Sequence, residues 1–466
     1  MKISFHGAAQ TVTGSKHKIA LENGKSFLLD CGMFQGLGKN TPELNRHFGF
    51  DPRTIDFVLL SHAHIDHSGL LPSLVKEGFE GKIYCTQATY ELCKIMLADS
   101  AYIQQSDITF YNKKRKKQGR DLLKPIYDIN DVVECLNHFV PVPYNEEVKV
   151  DDFVHATFTN NGHILGSATV NIRLTDGNQR RNICFTGDVG RFDTILLQDP
   201  EPFPQPDILI CESTYGNRLH TDIIDAEKEL LEAVIETCKN KKGKLIIPSF
   251  SLGRTQEIVF TLNKLDLKGL LPDVKIYVDS PLSVNATNIT KKFSNLLNQK
   301  VKDLMKERKD PFGFEDLIYI NNKKDSQLLN FSKEPCIIIS ASGMAEAGRV
   351  KHHIMHNITK PENTILIVGY AEPLSLAGKL RNGDDEVKIF GDDYKVNADV
   401  KVIDSYSAHG DYNEIIKYLK FIDAGKVEKV FLVHGDKDAQ ETFKDTLKEN
   451  GFNNIFIPAI HSEYFA

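Results

Sequence analysis

Short apolar runs, rich in β-branched residues, recur along the chain and end in polar residues. The runs are KSFLLD, ending at Asp30; DFVLLSH, ending at His62; RNICFTGD, ending at Asp188; DILICEST, ending at Thr214; KLIIPSF, ending at Phe250; and KVFLVHG, ending at Gly435. Helical patterns follow several of them, at 226–239, 255–265 and 437–449. Alternation of buried strands with amphipathic helices predicts an α/β architecture. Because layered sheets present functional groups at the carboxyl ends of strands, these polar residues are the first candidates for a site.

The chain is long enough for two domains, since 466 residues exceed what one compact core accommodates. Four prolines within 197–207 resist regular structure and mark one boundary. A charged, glycine-containing stretch at 381–400 marks a second boundary, and the segment between them has its own strand–helix alternation. We therefore predict a discontinuous domain made of residues 1–206 and 396–466, with a second domain, 207–395, inserted into it.

The composition is that of a folded globular protein, with 41% hydrophobic and 26% charged residues, and no apolar run approaches the roughly 20 residues of a membrane-spanning helix. The eight cysteines are scattered without a CxxC pair, which predicts a reduced, cytoplasmic protein that does not hold zinc through cysteine. The net charge of −6 gives no sign of bulk attraction to nucleic acid, so a polyanionic substrate would need local basic groups. The densest basic run, 113–117, is interpreted as a solvated helix face or loop in preference to a nucleic-acid patch.

The stretch SHAHIDHSG concentrates three of the chain's 16 histidines and one aspartate directly after a buried strand. Imidazole and carboxylate groups at this density suit a divalent metal. His62 and His64 alternate, so an extended or turning chain can aim both at one ion. Asp66 and His67 are then available for a second ion beside it, whereas a helix cap would explain only the aspartate. The HxHxDH pattern therefore predicts a metal centre.

With this motif the sequence resembles the metallo-β-lactamase superfamily. The superfamily pattern also has a strand-end aspartate, a later histidine and a later aspartate, and Asp30, His163 and Asp188 match in type and order. The resemblance implies a four-layer αββα sandwich whose edge holds two Zn²⁺ ions about 4 Å apart, which activate water for hydrolysis. The implied roles are one ion held by His62, His64 and His163, a second held by Asp66 and His67, a bridge at Asp188, and Asp30 orienting a ligand. Asp66 is also predicted to be a catalytic residue.

Three further strand-end groups narrow the substrate class: Glu212 in ILICEST, His409 in SYSAHGD and His434 in FLVHGD. They resemble motifs A, B and C of the β-CASP nucleases. The stretches IPSFSLGRTQE and ISASGMAEAGR resemble the inserted α/β β-CASP domain, and GAAQTVTGSKH resembles the start of such chains, so the likeness covers essentially the whole chain. It implies that His434 completes the second metal's ligands, that His409 protonates the leaving oxygen, and that Glu212 holds that imidazole. The alternatives are a helix cap for Glu212 and a turn residue for His409.

Residues that would bind phosphate are predicted at strand–helix junctions, where backbone amides and arginine forks suit the anion. They are Ser249, Arg254, Ser342 and Arg349, with solvated helix starts as an equal alternative for the two arginines. Lys379 stands in GYAEPLSLAGKL where the family usually has an arginine, and Pro373 stiffens that loop. A lysine offers a point charge in place of a bidentate fork, so substrate affinity would differ while the metal chemistry would not.

The resemblance implies a zinc-dependent ribonuclease that hydrolyses single-stranded RNA to 5′-phosphate and 3′-hydroxyl products, as an endonuclease or a 5′-exonuclease. In the family a histidine at motif C accompanies RNA-directed members and a valine DNA-directed ones, and here His434 stands there. The alternatives are a DNA-directed nuclease, a small-molecule hydrolase of the same superfamily, and an inactive scaffold subunit. A homodimer fits the family, and neither a membrane partner nor an appended RNA-binding module is expected.

Overall fold

The computed structural model describes residues 1–220, 223–369 and 371–465. Within them the strands are β1 (Lys2–Gly7), β2 (Lys16–Ala20), β3 (Ser26–Leu29), β4 (Phe57–Leu59), β5 (Lys82–Thr86), β6 (Phe139–Val142), β7 (Glu147–Lys149), β8 (Val154–Asn160), β9 (Ala168–Asp176), β10 (Gln179–Phe185), β11 (Ile208–Glu212), β12 (Lys244–Pro248), β13 (Lys275–Val278), β14 (Leu317–Tyr319), β15 (Cys336–Ser340), β16 (Thr364–Val368), β17 (Glu386–Ile389), β18 (Asp392–Lys395), β19 (Asp399–Ile403), β20 (Lys429–Val433), β21 (Ile455–Phe456) and β22 (Glu463–Phe465).

The helices are α1 (Thr41–Leu44), α2 (Ile65–Ser68), α3 (Leu71–Lys76), α4 (Gln87–Lys117), α5 (Ile129–Leu136), α6 (Ile223–Val234), α7 (Arg254–Leu267), α8 (Pro281–Lys292), α9 (Gln299–Glu307), α10 (Lys323–Phe331), α11 (Val350–Asn357), α12 (Leu376–Asn382), α13 (Tyr412–Leu419) and α14 (Lys437–Glu449). None of these described helices combines the length and the apolar character needed to span a membrane. Helices follow many of these strands, and the strands form several sheets, which confirms the predicted α/β class.

By its internal contacts the chain divides into two compact units. Unit 1 consists of Met1–Phe192, Asp199–Leu219 and His409–Ala466, and unit 2 consists of Asp193–Gln198 and His220–Ala408. Strand β19 pairs in parallel with β16 inside unit 2, so this unit continues past the charged stretch 381–400. The sequence places the changes between domains at 206–207 and 395–396, and that division stays a prediction.

Unit 1 contains two seven-stranded sheets whose inner faces form one hydrophobic core. Sheet 1 has the strand order β22-β1-β2-β3-β4-β5-β6, and sheet 2 has the order β21-β20-β11-β10-β9-β8-β7. Phe5 and Phe27 of sheet 1 share the core with Phe158 and Phe431 of sheet 2. Helices α13 and α14 pack on the outer face of sheet 2, and α4 contacts β5 and β6 of sheet 1. These layers form the αββα sandwich that the resemblance implies.

Unit 2 is built on a parallel sheet with the strand order β14-β13-β15-β12-β16-β19, next to the two-stranded β17-β18 ribbon. Its central strands β12, β15 and β16 are buried on both faces. On β15, for example, Ile337 and Ile339 belong to one hydrophobic core and Ile338 belongs to the other. Because both faces are covered, such strands appear in the sequence as continuous apolar runs without alternation.

Candidate metal centre

The residues predicted to form the metal centre follow the carboxyl ends of strands in unit 1, apart from one that precedes a helix. Asp30 follows β3; His62, His64, Asp66 and His67 follow β4; His163 follows β8; Asp188 follows β10; Glu212 ends β11; His434 follows β20; and His409 precedes α13. Because β3 runs parallel to β4, and β11 runs parallel to both β10 and β20, these strand ends lie on one edge of each sheet. The structure brings all of these side chains into one group.

The first part of the group contains three histidines whose ring nitrogens converge beside a carboxylate. His64 Nδ1 lies 3.1 Å from His62 Nε2 and 3.2 Å from His163 Nε2. Oδ2 of Asp188 lies 3.5 Å from Nε2 of His62 and 3.5 Å from Nε2 of His163. Two nitrogens bound tetrahedrally to zinc at about 2.05 Å would lie roughly 3.3 Å apart. The spacing of these nitrogens is therefore that of ligands around one ion, and the four residues are close enough to hold it.

The second part of the group lies directly beside the first. Nε2 of His67 lies 3.1 Å from Nε2 of His434, which lies 3.3 Å from Oδ2 of Asp66. These three residues are again close enough to hold an ion. Oδ2 of Asp188 lies 3.2 Å from His67 Nε2 and so faces both parts of the group. The other oxygen of this carboxylate, Oδ1, is buried without a hydrogen-bond partner among the described residues.

The ionisation of the group suits a divalent cation. Burial lowers the pKa of His62 well below its ordinary value and lowers the pKa of His64 to about 4. Both rings are therefore neutral near pH 7 and offer lone pairs. Burial opposes ionisation of Asp188, but the nearby imidazoles, led by His434, outweigh burial and hold the pKa of Asp188 well below its usual range. Neutral imidazoles and ionised carboxylates are the donor set that zinc prefers when cysteine is absent.

Asp30 fixes the orientation of one of these imidazoles. Its Oδ2 accepts a hydrogen bond from Nδ1 of His67 at 2.6 Å, and its Oδ1 accepts one from the amide of Ser61 at 2.7 Å. Burial opposes protonation of His67, but the carboxylates of Asp188, Asp66 and Asp30 raise the pKa of His67 well above its ordinary value. With Nδ1 held by Asp30, Nε2 is the nitrogen that points into the group.

His409 and Glu212 form a pair at the edge of the group. Nδ1 of His409 lies 3.2 Å and 3.3 Å from the two carboxylate oxygens of Glu212. Glu212 is itself fixed, because it accepts hydrogen bonds from the amides of Val189 at 2.5 Å and Thr214 at 3.2 Å. Burial opposes protonation of His409, but Glu212 and Asp188 outweigh it and raise the pKa of His409 to about 9. The ring can therefore carry a proton at neutral pH.

Lys16 is a buried residue that the sequence did not single out. Its Nζ donates to the carbonyl oxygens of Gly14 at 3.1 Å and Gly32 at 2.9 Å, and burial lowers the pKa of Lys16 to about 8. These bonds join two loops, and the amide of Ser15 in one of them donates to the carbonyl of Asp66 at 2.8 Å. Lys16 thus braces the backbone that carries Asp66. The sequence gives no signal of this role, because Lys16 stands in the polar stretch KHK and its burial is known from the structure alone.

The residues predicted to bind phosphate all belong to unit 2, and the metal group belongs to unit 1. Ser249 is fully buried, while Ser342 and Lys379 are half-buried. Arg254 is buried, pairs with Glu257 and lies over the ring of Tyr406. Arg349 donates to Oδ1 of the buried Asp279 at 2.5 Å and to the carbonyl of Asn321 at 2.7 Å. Both arginines thus contact protein groups, and phosphate binding by these residues stays a prediction.

Models of three protein families match the sequence. They are described as the metallo-beta-lactamase superfamily, over residues 19–249; the Beta-Casp domain, over residues 255–380; and the Zn-dependent metallo-hydrolase RNA specificity domain, over residues 393–458. Together with the sandwich and its histidine-rich edge, these matches define a metallo-hydrolase of the metallo-β-lactamase superfamily with an inserted β-CASP domain.

Known relatives narrow the class further. The chain is 34% identical over 462 residues to an RNase J-like protein of Methanocaldococcus jannaschii, covering 98% of this chain and 97% of that protein. It is 33% identical over 438 residues to a ribonuclease of Thermus thermophilus, covering 94% of each. It is 32% identical over 424 residues to the transcription termination factor FttA of Methanosarcina mazei, covering 89% of this chain and 63% of that protein. The chain belongs to the β-CASP ribonuclease family, which confirms the resemblance and the prediction of a hydrolytic enzyme.

Proposed function

We propose that the protein is a ribonuclease that binds two Zn²⁺ ions and hydrolyses single-stranded RNA to 5′-phosphate and 3′-hydroxyl ends. The observation that carries the proposal is the position of Asp188. Its Oδ2 lies 3.5 Å from His62 Nε2 in one ligand group and 3.2 Å from His67 Nε2 in the other. A carboxylate between two converging ligand groups is an arrangement suited to two-metal hydrolysis of phosphodiesters.

The two ligand groups fit zinc in the type and number of their donors. We assign His62, His64, His163 and Asp188 to one ion, and Asp66, His67, His434 and Asp188 to the other. Bound zinc supplies Lewis-acid chemistry, because it lowers the pKa of water and neutralises charge on phosphate oxygens. The chain's own contribution is to keep His62 and His64 neutral by burial, and to aim the imidazoles, as Asp30 does for His67.

We assign His409 the role of proton donor. Hydrolysis that leaves a 3′-hydroxyl requires a proton on the departing 3′-oxygen. Nδ1 of His409 faces Glu212, so Nε2 is the nitrogen that would give its proton to a substrate oxygen. Because backbone amides hold Glu212, the carboxylate in turn keeps the imidazole in one orientation. The elevated pKa of His409 means that the ring carries this proton at neutral pH.

Three findings support RNA as the substrate in preference to DNA or a small ester. His434 occupies the motif C position at which a histidine accompanies RNA-directed members of the family. Residues 393–458 match a family model described as an RNA specificity domain. Relatives that align with nearly the whole chain are named as a ribonuclease and as an RNase J-like protein. Dimerisation and a cytoplasmic location stay predictions from the sequence.

The proposal is tested by incubating zinc-loaded protein with end-labelled RNA and with DNA of matched sequence. We expect only RNA to be cut, with 5′-phosphate and 3′-hydroxyl ends, and we expect a chelator to stop cleavage until zinc is restored. His62→Ala should lose zinc and activity together. The matched control is His47→Ala, which changes an exposed histidine outside the group. Cleavage of DNA in preference to RNA, or full activity of metal-free protein, would contradict the proposal.

A further inference from the structure

Helix α4 (Gln87–Lys117) carries the basic run 113–117, which has no role in the proposed catalytic site. The first half of the helix packs into unit 1 through buried residues that include Leu92, Leu97 and Ala101. Beyond Ala101, none of the described residues of this helix is buried. The second half of α4 therefore contributes little to the hydrophobic core, and its outward face is available to a ligand.

The outward face combines aromatic and basic side chains. With 3.6 residues per turn, Tyr102, Phe110, Lys113 and Lys117 lie on one side of the helix, and we call these four residues the α4 strip. Tyr102 is 75% exposed and Phe110 is 72% exposed, and both lysines are exposed. Exposed apolar groups gathered on one face are uncommon in soluble proteins and mark interaction sites.

The opposite face of this half of the helix is fastened to the chain that follows it. The side chain of Asn112 exchanges two hydrogen bonds with the backbone of Leu123, both 2.9 Å long. Nε of Arg115 donates to the carbonyl of Asp121 at 2.6 Å. Because the returning segment covers the inner face, the α4 strip is presented outwards on a braced helix.

The local charge indicates the chemistry of the partner. Residues 102–124 contain seven basic and two acidic side chains, whereas the whole chain has a net charge of −6. A basic surface on an acidic protein favours binding of a polyanion over binding of a protein or of an apolar surface. The aromatic side chains add stacking surfaces for bases, which a simple phosphate site would not need.

We propose that the α4 strip binds single-stranded RNA, with bases stacked on Tyr102 and Phe110 and phosphates held by Lys113 and Lys117. This inference rests on the proposed function, because it gives the RNA substrate a second point of attachment on unit 1. It also explains how an acidic chain holds a polyanion: the binding charge is concentrated on one helix.

Helix α4 begins beside the loop that carries His163. At its start, Thr86 and Thr89 donate to the carbonyl of Gly166 at 2.6 Å and 2.8 Å, in the loop that carries His163. Lys117 lies roughly 42 Å further along the helix axis, at 1.5 Å per residue. A stacked strand advances about 3.4 Å per nucleotide, so a stacked RNA needs about 12 nucleotides to span this distance. The strip should therefore affect long substrates and spare short ones.

The test compares RNAs of about 6 and about 30 nucleotides with the zinc-loaded enzyme and two double variants. For the long RNA, Lys113→Gln with Lys117→Gln should raise KM roughly tenfold and leave kcat unchanged. The negative slope of log kcat/KM against log salt concentration should become less steep by about 1.4, because two phosphate contacts are lost. Tyr102→Ala with Phe110→Ala should also raise this KM roughly tenfold. The KM of the short RNA should change less than about twofold. The matched control on α14 is Lys444→Gln with Lys448→Gln.

Photocrosslinking gives a readout that does not need cleavage. Long RNA carrying 4-thiouridine should crosslink to the peptide of residues 102–117, and the aromatic double variant should lose this crosslink. Crosslinking without cleavage would support the strip while contradicting the proposed function. Cleavage with no crosslink on α4, and with KM unchanged in both double variants, would overturn the inference and leave a protein as the partner of this face.

Discussion

Replacing His409 with alanine distinguishes proton donation from metal binding. Nδ1 of His409 lies 3.2 Å from Oε1 of Glu212, and its Nε2 lies 3.9 Å from Oδ2 of Asp188. The ring is also close enough to Asp188 and His434 to share an ion with them. The two roles predict different results, because a proton donor can be removed without loss of metal and a ligand cannot.

We expect His409→Ala to lower kcat by a factor of 10² to 10⁴, which corresponds to about 3–5 kcal/mol in the activation barrier. The fold should be nearly unaffected. Glu212 keeps its hydrogen bonds from the amides of Val189 and Thr214, so no buried carboxylate is left without a donor. The proposed ligands of both ions also remain, so the zinc content should stay at the wild-type level.

The assay combines single-turnover cleavage of RNA with zinc analysis by mass spectrometry and thermal unfolding of the same preparations. His47→Ala serves as the control, because it removes an exposed imidazole that pairs with Glu43 on the surface. A variant that loses zinc in proportion to its activity would make His409 a ligand and refute the assignment. Cleavage by His409→Ala at the wild-type rate would also refute the assignment, because it would show that the reaction does not need His409 as a proton donor.

Three further predictions concern the groups around the site and the core of unit 2. Because a protonated donor is required, activity should fall as the pH rises through about 9, the pKa of His409. Glu212→Gln should move this fall to lower pH in a pH–rate profile, because it removes a carboxylate that raises the pKa of His409. An unmoved profile would contradict the pairing of His409 with Glu212. Asp30→Asn should weaken zinc binding roughly 10- to 100-fold in competition with a chelator, because the carboxylate that orients His67 is lost. Unchanged zinc affinity would contradict that role of Asp30. Arg349→Ala should lower the free energy of unfolding by about 2 kcal/mol in denaturant titrations, because the buried Asp279 loses one of its partners; an effect near zero would show that the contact is dispensable.

The centre of the site was predictable because its information is local. His62, His64, Asp66 and His67 follow one strand, so their proximity requires no knowledge of the fold. For the distant members, such as His163, the prediction rests on the resemblance to the superfamily and not on spacing. They come close because parallel strands end at one edge, a consequence of topology that hydrophobic patterning alone does not determine.

The partners of charged residues in unit 2 could not be predicted in the same way. Arg349 contacts Asp279, which lies 70 positions earlier in the chain, and no periodicity connects the two residues. The sequence predicts a solvated helix face or loop for the basic run on α4, and the run is an exposed helix end. Its connection with Tyr102 and Phe110 appears only when the full helix of 31 residues is known. Long-range pairing and the true length of an irregularly patterned helix are set by tertiary packing.

The central claim is that water, and not the RNA's own 2′-hydroxyl, attacks the phosphodiester at the zinc-binding group. Cleavage of RNA by the zinc-loaded enzyme in water enriched in oxygen-18, followed by mass spectrometry of the product ends, tests this most directly. The account predicts heavy oxygen in the new 5′-phosphate and none in the fragment that ends in a 3′-hydroxyl. Products that end in a 2′,3′-cyclic phosphate, or 5′-ends that carry no heavy oxygen, would contradict it.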